Sequence, residues 1–311
     1  MSRISAHTGA AARLAEPSPV GVLADRYFRY LIVWPAILVL LLIGLFPLVY
    51  SAIVSFQKIN RRVEDTSFHG LLNYGRLVGD DRFWESLLHT GIFTAIALPL
   101  ELVLGFLLAK LMLDRLPGRQ VFIALLLLPA VISPIVAGAM WRLMFDNIFG
   151  PINQVLGWIA GGPVNILWTI NDNPVVVYSA ILVCEIWQWT PFMFLILLAA
   201  LANVDRSQLE AAELDGASYW QTLSKVILPA IKPVVIVALT IRGLDLVRLF
   251  DIVWALTRGG PGTMTETVSV YAYIRGFERF DVSFTAALAF VVIVLLSLIV
   301  MAMLKRLEIA R

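Results

Sequence analysis

The hydrophobic positions of this chain form long runs with few charged residues, separated by shorter polar segments. A helix of about 20 residues crosses the hydrocarbon core of a bilayer, and every run reaches that length. Alternating strand patterns are absent from the sequence, and bare backbone polar groups are not tolerated in lipid, so the runs predict helices. The predicted spans are 31–56, 87–113, 121–145, 175–202, 233–256 and 284–304. The predicted fold is an all-α, polytopic membrane protein with six transmembrane helices.

The distribution of Lys and Arg predicts the orientation of these spans. Segment 146–174 contains neither residue, whereas the short turn after the second run carries Lys110, Arg115 and Arg119. Because positive residues are enriched in cytoplasmic loops, and an even number of spans puts both termini on one side, we expect cytoplasmic termini. The beginning of the chain is rich in Ala, Ser and Pro without apolar periodicity. We therefore expect a cytoplasmic tail over 1–29 and a six-span domain over 30–311.

Composition excludes several classes of protein. Of 311 residues, 59% are hydrophobic and 15% are charged, against about 25% charged residues in soluble domains. The net charge of +2 gives no reason to expect a nucleic-acid partner. A single cysteine, Cys184, excludes an intramolecular disulfide. No phosphate-binding G-x-x-x-x-G-K-[ST] motif occurs, and the three His residues have no metal-ligand spacing, so we expect no catalysis, metal or cofactor in this chain.

The polar segment 203–232, between the fourth and fifth runs, has the pattern of two short helices. Ser207 and Glu210 form a capping-box pattern that predicts a helix start near Gln208, and Gly216 is typical of a helix end. A second capping-box pattern begins at Ser218, and the Leu-Pro pair at 228–229 is expected to end that helix. From these patterns alone, an amphipathic loop resting on the lipid surface is an equally good interpretation.

The residues of this segment resemble a known motif. Glu210-Ala-Ala, Asp215-Gly-Ala and Leu228-Pro together resemble the EAA motif of permease subunits from binding-protein-dependent ABC importers. The resemblance implies the type I importer permease fold and a coupling helix that docks on a separate ATPase. The coupling residues that it implies are Glu210, Ala211, Ala212, Asp215, Gly216 and Ala217.

Further stretches resemble the carbohydrate branch of this family, whose permeases carry maltose, other oligosaccharides or glycerol phosphate. They are the entry segment 68–74 and the segment 250–261, which ends in Gly259, Gly260 and Pro261. The resemblance implies a second permease in a heterodimer, two ATPase subunits that bind ATP and Mg, and an extracytoplasmic solute-binding protein. It also implies the inner membrane of a prokaryote. We expect the Gly-Gly-Pro turn to contact the solute-binding protein.

Several charged and aromatic residues interrupt the predicted spans. Charge within an apolar span is costly and usually functional. The candidates for a polar path that binds sugar hydroxyls are Glu185, Trp187, Gln188, Trp189, Arg242 and Asp245. Arg242 and Asp245 continue to Arg248 and Asp251 at intervals of three, so a helical ladder of i,i+3 ion pairs that only stabilises the bundle remains open. Aromatic residues at helix interfaces are a second structural explanation.

The sequence is compatible with two other functions. An ion-gradient-driven secondary carrier would use Glu185 or Asp245 as a proton site. Such carriers often contain inverted repeats, and no convincing self-similarity is visible here. A membrane scaffold without transport activity is the third class. Uptake that survives collapse of the proton gradient while ATP is maintained would separate the importer from the carrier.

Overall fold

The computed structural model describes residues 19–59, 67–113 and 117–308. Helices dominate these ranges, and an isolated antiparallel bridge joins Gln57 to Phe68. Five helical stretches are long and apolar enough to cross a membrane, and the described ranges contain six if the bent pair α5 and α6 is one span. The helices are α1 Pro19–Leu40, α2 Phe46–Ser55, α3 Leu72–Val78, α4 Asp81–Leu111, α5 Arg119–Val131, α6 Pro134–Met144, α7 Pro151–Ala160, α8 Pro174–Ala202, α9 Arg206–Leu214, α10 Tyr219–Thr222, α11 Leu228–Val247, α12 Asp251–Leu256, α13 Val268–Tyr273 and α14 Val282–Glu308. The all-α, polytopic fold predicted from the sequence is confirmed.

The chain divides into two compact units, of which the first ends at Ile53 and the second begins at Val54. In the first unit, α1 continues through the π-helical turn Leu41–Leu45 into α2. The helix already begins at Pro19, so residues 19–29 of the predicted tail are helical. The part of the predicted tail before Pro19 lies outside the described residues.

The core of the second unit forms where α4 and α8 pack along their lengths. Gly105 of α4 permits the closest approach, since a Cβ atom there would lie 2.7 Å from Cβ of Met193 and 2.9 Å from the backbone nitrogen of Phe194. No side chain larger than hydrogen fits at this point without moving the α8 backbone. The close contact fixes α4 and α8 against each other beside the charged residues described below.

The third predicted span, 121–145, is not one continuous helix, contrary to the expectation from hydropathy. It consists of α5 and α6, which meet at an angle of 98°. Ile132 and Ser133 between them have extended ψ values of 135°. A residue that precedes proline is disfavoured in the helical region, and Pro134 therefore ends the first helix while starting the second.

The fifth predicted span is also interrupted. Helix α11 ends at Val247, and the chain passes through Arg248–Phe250 before α12 begins at Asp251. Helix α12 packs on α6, where a Cβ atom on Gly138 would lie only 2.6 Å from Cβ of Ala255. The second half of the bent span is thus held against the end of the fifth.

The Leu-Pro pair at 228–229 does not end the second helix of segment 203–232, contrary to the prediction. Helix α10 runs through the π-helical turn Leu223–Ile227 into α11 without a break. The N–H of Leu228 donates to the carbonyl of Leu223, five residues earlier. This wider turn sits directly before Pro229, where the missing N–H and the proline ring would disturb an ordinary α-helical ladder.

Candidate functional site

A buried arginine joins three of the spans. Arg242 of α11 donates through Nε to Oε2 of Glu101 on α4 (2.7 Å) and through Nη2 to Oε1 of the same carboxylate (2.9 Å). Nη2 also donates to Oε1 of Glu185 on α8. All three residues are at most 2% exposed. Buried charges are tolerated when they are paired and hydrogen-bonded, and the bidentate geometry satisfies this requirement for Glu101.

The same guanidinium has a partner that reaches the surface of the chain. Nη1 of Arg242 donates to Oδ2 of Asp245 (2.6 Å), whose side chain is 41% exposed. The ring of Trp189 lies under the guanidinium, with 4.6 Å from Cζ to the ring centroid. An exposed carboxylate beside an aromatic face offers acceptors for hydroxyl groups and an apolar surface for the C–H face of a sugar ring. We define Glu101, Glu185, Trp189, Arg242 and Asp245 as the polar cluster.

Buried oxygen atoms without a partner among the described residues lie on α8, in the polar cluster and next to it in the chain. Within the described part of the chain, Oε2 of Glu185, Oε1 of Gln188 and Oγ1 of Thr190 are buried and have no hydrogen-bond partner. Buried polar atoms are nearly always matched by a protein group, water or ligand. Glu185 and Gln188 are three residues apart on α8, so their side chains lie on the same side of this helix.

The expected i,i+3 ladder along the fifth span is wrong beyond its first pair. The helix ends at Val247, so Arg248 and Asp251 do not continue one helical face with Asp245. Both of these residues are exposed, and neither forms a salt bridge with another residue that the structure describes. The neutralising contacts of Arg242 instead come mainly from other helices, through Glu101 and Glu185.

Trp187 and Gln188 contact the bent span α5–α6 rather than Arg242. Trp187 packs edge to face on Trp141 of α6, with ring centroids 5.6 Å apart. Nε2 of Gln188 donates to the carbonyl of Ile132 at the bend between α5 and α6 (2.8 Å). The amide therefore satisfies a backbone group that the interrupted helix leaves free.

The Gly-Gly-Pro segment forms a compact turn after α12. Gly259 is buried with φ of +88°, and a Cβ atom there would lie 3.2 Å from Val270. The buried Thr265 closes the turn, because its N–H donates to the Gly259 carbonyl (3.1 Å) and its hydroxyl to the Gly260 carbonyl (2.8 Å). Gly260 and Pro261 are partly exposed. Contact with a solute-binding protein at this turn stays a prediction.

Residues after this turn are tied to the beginning of α4. Arg82 donates to both carboxylate oxygens of Glu266, with the shortest distance 2.7 Å. Asp80 caps α4 and accepts hydrogen bonds from the Tyr271 hydroxyl (2.7 Å) and the Arg275 guanidinium. Partial burial alone would raise the pKa of Asp80, but the Tyr271 hydrogen bond and the Arg275 charge outweigh it and lower the pKa below the ordinary value of 3.8.

Segment 203–232 contains a helix–turn–helix, and its first helix starts differently from the prediction. Asp205, rather than Ser207, caps α9, because its carboxylate accepts from the Ser207 N–H (2.9 Å). Gly216 has φ of +71° in the turn, as expected for a helix end. The N–H of Ser218 donates to Oε1 of Gln221 (2.7 Å), which confirms the second capping box.

This segment presents its motif residues and several apolar side chains to the surroundings. Glu210, Ala211, Asp215 and Gly216 are exposed, and Ala212 and Ala217 are partly exposed. Leu214 is 89% exposed and Trp220 is 72% exposed, and they lie on the two sides of the turn. Nζ of Lys110, at the end of α4, contacts the Tyr219 hydroxyl. The geometry gives a rigid protrusion that is linked to the spans through α11 and α4.

The family model described as "Binding-protein-dependent transport system inner membrane component" matches residues 74–309. The chain belongs to this family. The trehalose/maltose transport system permease protein MalF of Thermococcus litoralis is 36% identical over 244 residues, which are 78% of this chain and 81% of that protein. The probable ABC transporter permease protein y4oQ of Sinorhizobium fredii is 36% identical over 290 residues, with coverage of 90% and 92%.

A solved structure has the same fold. A chain of the bacterial alginate ABC transporter, in complex with an alginate pentasaccharide-bound periplasmic protein, superposes with a TM-score of 0.77 at 22% identity. The match covers 91% of this chain and 94% of that chain. The type I importer permease fold implied by the EAA resemblance is in agreement with this likeness.

Family membership identifies the chain as a multi-pass permease subunit of an ABC importer, which is not itself catalytic. The carrier alternative finds no support, because the matching family and relatives are permeases of binding-protein-dependent and ABC transport systems. The family model also spans the polar cluster and the helix–turn–helix.

Proposed function

We propose that this permease carries a sugar, an oligosaccharide or a polyol across the inner membrane of a prokaryote. It pairs with a second, similar permease in a heterodimer, and the two enclose the path. Two ATPase subunits bind ATP and Mg on the cytoplasmic side, and a solute-binding protein delivers the substrate from outside. The trehalose/maltose relative supports the substrate class.

The observation that carries the proposal is the exposed helix–turn–helix 206–222. Small Ala side chains on α9 allow close approach of a partner, and the exposed Glu210 carboxylate offers an acceptor for basic groups. Leu214 and Trp220 add apolar contact area of the kind that anchors protein interfaces. ATP-driven closure of the ATPase pair would move this segment, and α11 would transmit the movement to the polar cluster.

The polar cluster supports a substrate path. Asp245 is its exposed carboxylate, and Trp189 supplies an aromatic face next to it. Glu185 and Gln188 hold the buried acceptors without a protein partner in the described ranges. Arg242 orients Asp245 and keeps the glutamates in place, while Trp187 positions α8 against α6.

Reconstitution of the full complex in nanodiscs tests the coupling assignment. We expect sugar-loaded solute-binding protein to stimulate ATP hydrolysis by the wild-type complex. Glu210→Lys reverses the charge of the docking face, and Gly216→Pro removes the φ of +71° that the turn requires, so both should abolish the stimulation. Asp172→Asn, an exposed charge change in segment 146–174, is the control and should leave it intact. Full stimulation in both coupling variants would contradict the assignment.

The substrate class is tested by varying the ligand of the solute-binding protein in the same assay. Neutral disaccharides and polyols should stimulate ATP hydrolysis, whereas amino acids should not. Stimulation by an amino acid and by no carbohydrate would contradict the proposed substrate class while leaving the permease identity untouched.

A further inference from the structure

Helix α7 belongs to the segment that connects the ends of α6 and α8 on the side opposite the helix–turn–helix. The side chain of Asp146 accepts from the N–H groups of Ile148 (2.9 Å) and Phe149 (2.8 Å), which turns the chain away from α6. Gly150 and Pro151 then start a helix of 10 residues. The membrane-length helix α8 begins at Pro174, directly after this segment, which places the segment close to the membrane surface.

One face of α7 is fixed to the rest of the segment. Asn153 is 4% exposed, its Nδ2 donates to the carbonyl of Ile166 (3.0 Å), and its Oδ1 accepts from Nε1 of Trp168 (2.9 Å). Gly157 lies so close to the returning chain that a Cβ atom there would be 2.9 Å from the Gly162 carbonyl. These contacts fix the rotation of the helix about its axis.

The other side of α7 is apolar and uncovered. Trp158 is 85% exposed, Phe149 is 80% exposed, and Val155 and Ile159 are also exposed. Between Asp146 and Asp172 the sequence contains no charged residue and no His. An exposed apolar surface of this kind marks contact with a membrane or a protein.

Three observations favour lipid as the occupant. The adjoining span ends also carry exposed apolar side chains, Leu143 on α6 (74% exposed) and Val175 on α8 (71% exposed). Between Asp146 and Asp172 the chain has no charged residue, whereas transient protein contacts normally have a polar rim. Tryptophan is enriched at the level of the lipid headgroups, with its ring in the apolar boundary.

The geometry points to α7 as an interfacial helix, which lies in the plane of the membrane with Val155, Trp158 and Ile159 in the headgroup and acyl boundary of the outer leaflet. Helices of this type bind by apolar area buried at the lipid surface. The anchor connects to the bent span, because Trp168 packs on Phe145 (5.2 Å between centroids) and Phe145 on Trp141 (5.3 Å). Lipid contact at α7 therefore fixes the end of α6, whichever substrate the importer carries.

Site-directed spin labelling of the complete complex in lipid nanodiscs tests this proposal. Cys184 is fully buried, so wild-type protein gives the background labelling. Trp158→Cys and Ile159→Cys carry the nitroxide on the proposed lipid face, and Asp172→Cys carries it on the polar end of the same segment. The measurement is the accessibility of each label to oxygen, which concentrates in lipid, and to a water-soluble nickel chelate.

We expect the ratio of oxygen to nickel accessibility to be higher at both lipid-face positions than at position 172. Nickel accessibility at 158 and 159 as high as at 172 would show a water-exposed helix and overturn the proposal. Low accessibility to both reagents would show that a protein partner covers the face, which overturns it as well. Two independent label positions protect the test against one variant that fails to fold, and the result does not depend on the proposed substrate.

Discussion

Replacing Arg242 by Met tests whether the polar cluster holds three spans together. Arg242→Met removes the bidentate contact to Glu101 and the bond to Glu185, and leaves two carboxylates at most 2% exposed without a cation. Loss of one partner from a buried ion pair costs about 3–5 kcal/mol. We therefore expect the folding equilibrium to fall by about 100-fold or more.

Unfolding of the purified permease by SDS in lipid bicelles, followed by tryptophan fluorescence, measures this change. Asp245→Asn is the matched control, since this partner is 41% exposed and solvated, and a partner in water contributes at most about 1 kcal/mol. The triple variant Glu101→Met, Glu185→Met, Arg242→Met replaces every buried charge by an apolar side chain. Such replacements are often neutral, so the triple variant should be more stable than Arg242→Met alone.

Two results would contradict this role of Arg242. If the free energy of unfolding of Arg242→Met were within about 1 kcal/mol of the wild-type value, the buried guanidinium would not be what holds the three helices together. If the triple variant were as unstable as Arg242→Met, the loss would come from side-chain shape and not from uncompensated charge.

Three further predictions follow from other contacts. Gly138→Ala puts a methyl group 2.6 Å from Cβ of Ala255, so it should destabilise the permease by about 1–3 kcal/mol in the same SDS titration, and adding Ala255→Gly should recover most of the loss. An unchanged single variant would show that α6 and α12 do not press together. Gln188→Leu leaves the Ile132 carbonyl at the bend without its donor and should cost about 1–3 kcal/mol, and equal unfolding curves would contradict this role. The pKa of Asp80 is lower in the folded than in the unfolded protein, so Asp80 stabilises the fold above pH 3.8, and this contribution is lost as the pH falls through the folded pKa. Asp80→Asn should therefore weaken the loss of unfolding free energy at acid pH. An unchanged dependence of that free energy on pH would contradict the role of Asp80.

Local patterns in the sequence predicted the spans and the helix–turn–helix because these features depend on neighbouring residues. Hydropathy located α4, α8 and α14. The turn was predicted from Gly216 because glycine readily adopts a positive φ, and the structure has +71° there. The bend at Ser133 was missed because hydropathy averages across it, although the Ser-Pro pair is a local signal for an interrupted helix. Pro229 was read as a helix end because the preceding π-helical turn has no clear signal in the sequence.

The partners of Arg242 could not be predicted from spacing along one helix. Glu101 and Glu185 lie 141 and 57 residues away in the chain, and only the packing of three helices brings them to the guanidinium. Both are charged residues within apolar runs, which is the sequence signal for a buried role. The i,i+3 ladder was predicted instead, because spacing along one helix contains no information about the residues on neighbouring helices.

The order of the charged partners along the chain has a consequence for biosynthesis. Both glutamates of the buried cluster are synthesised before Arg242, so α4 and α8 emerge from the ribosome while their guanidinium does not yet exist. Carboxylates in a lipid environment are strongly unfavourable until they are paired. A nascent chain that stops before α11 therefore lacks the cation for both carboxylates, and the three helices can form their buried ion pairs only after Arg242 has been synthesised.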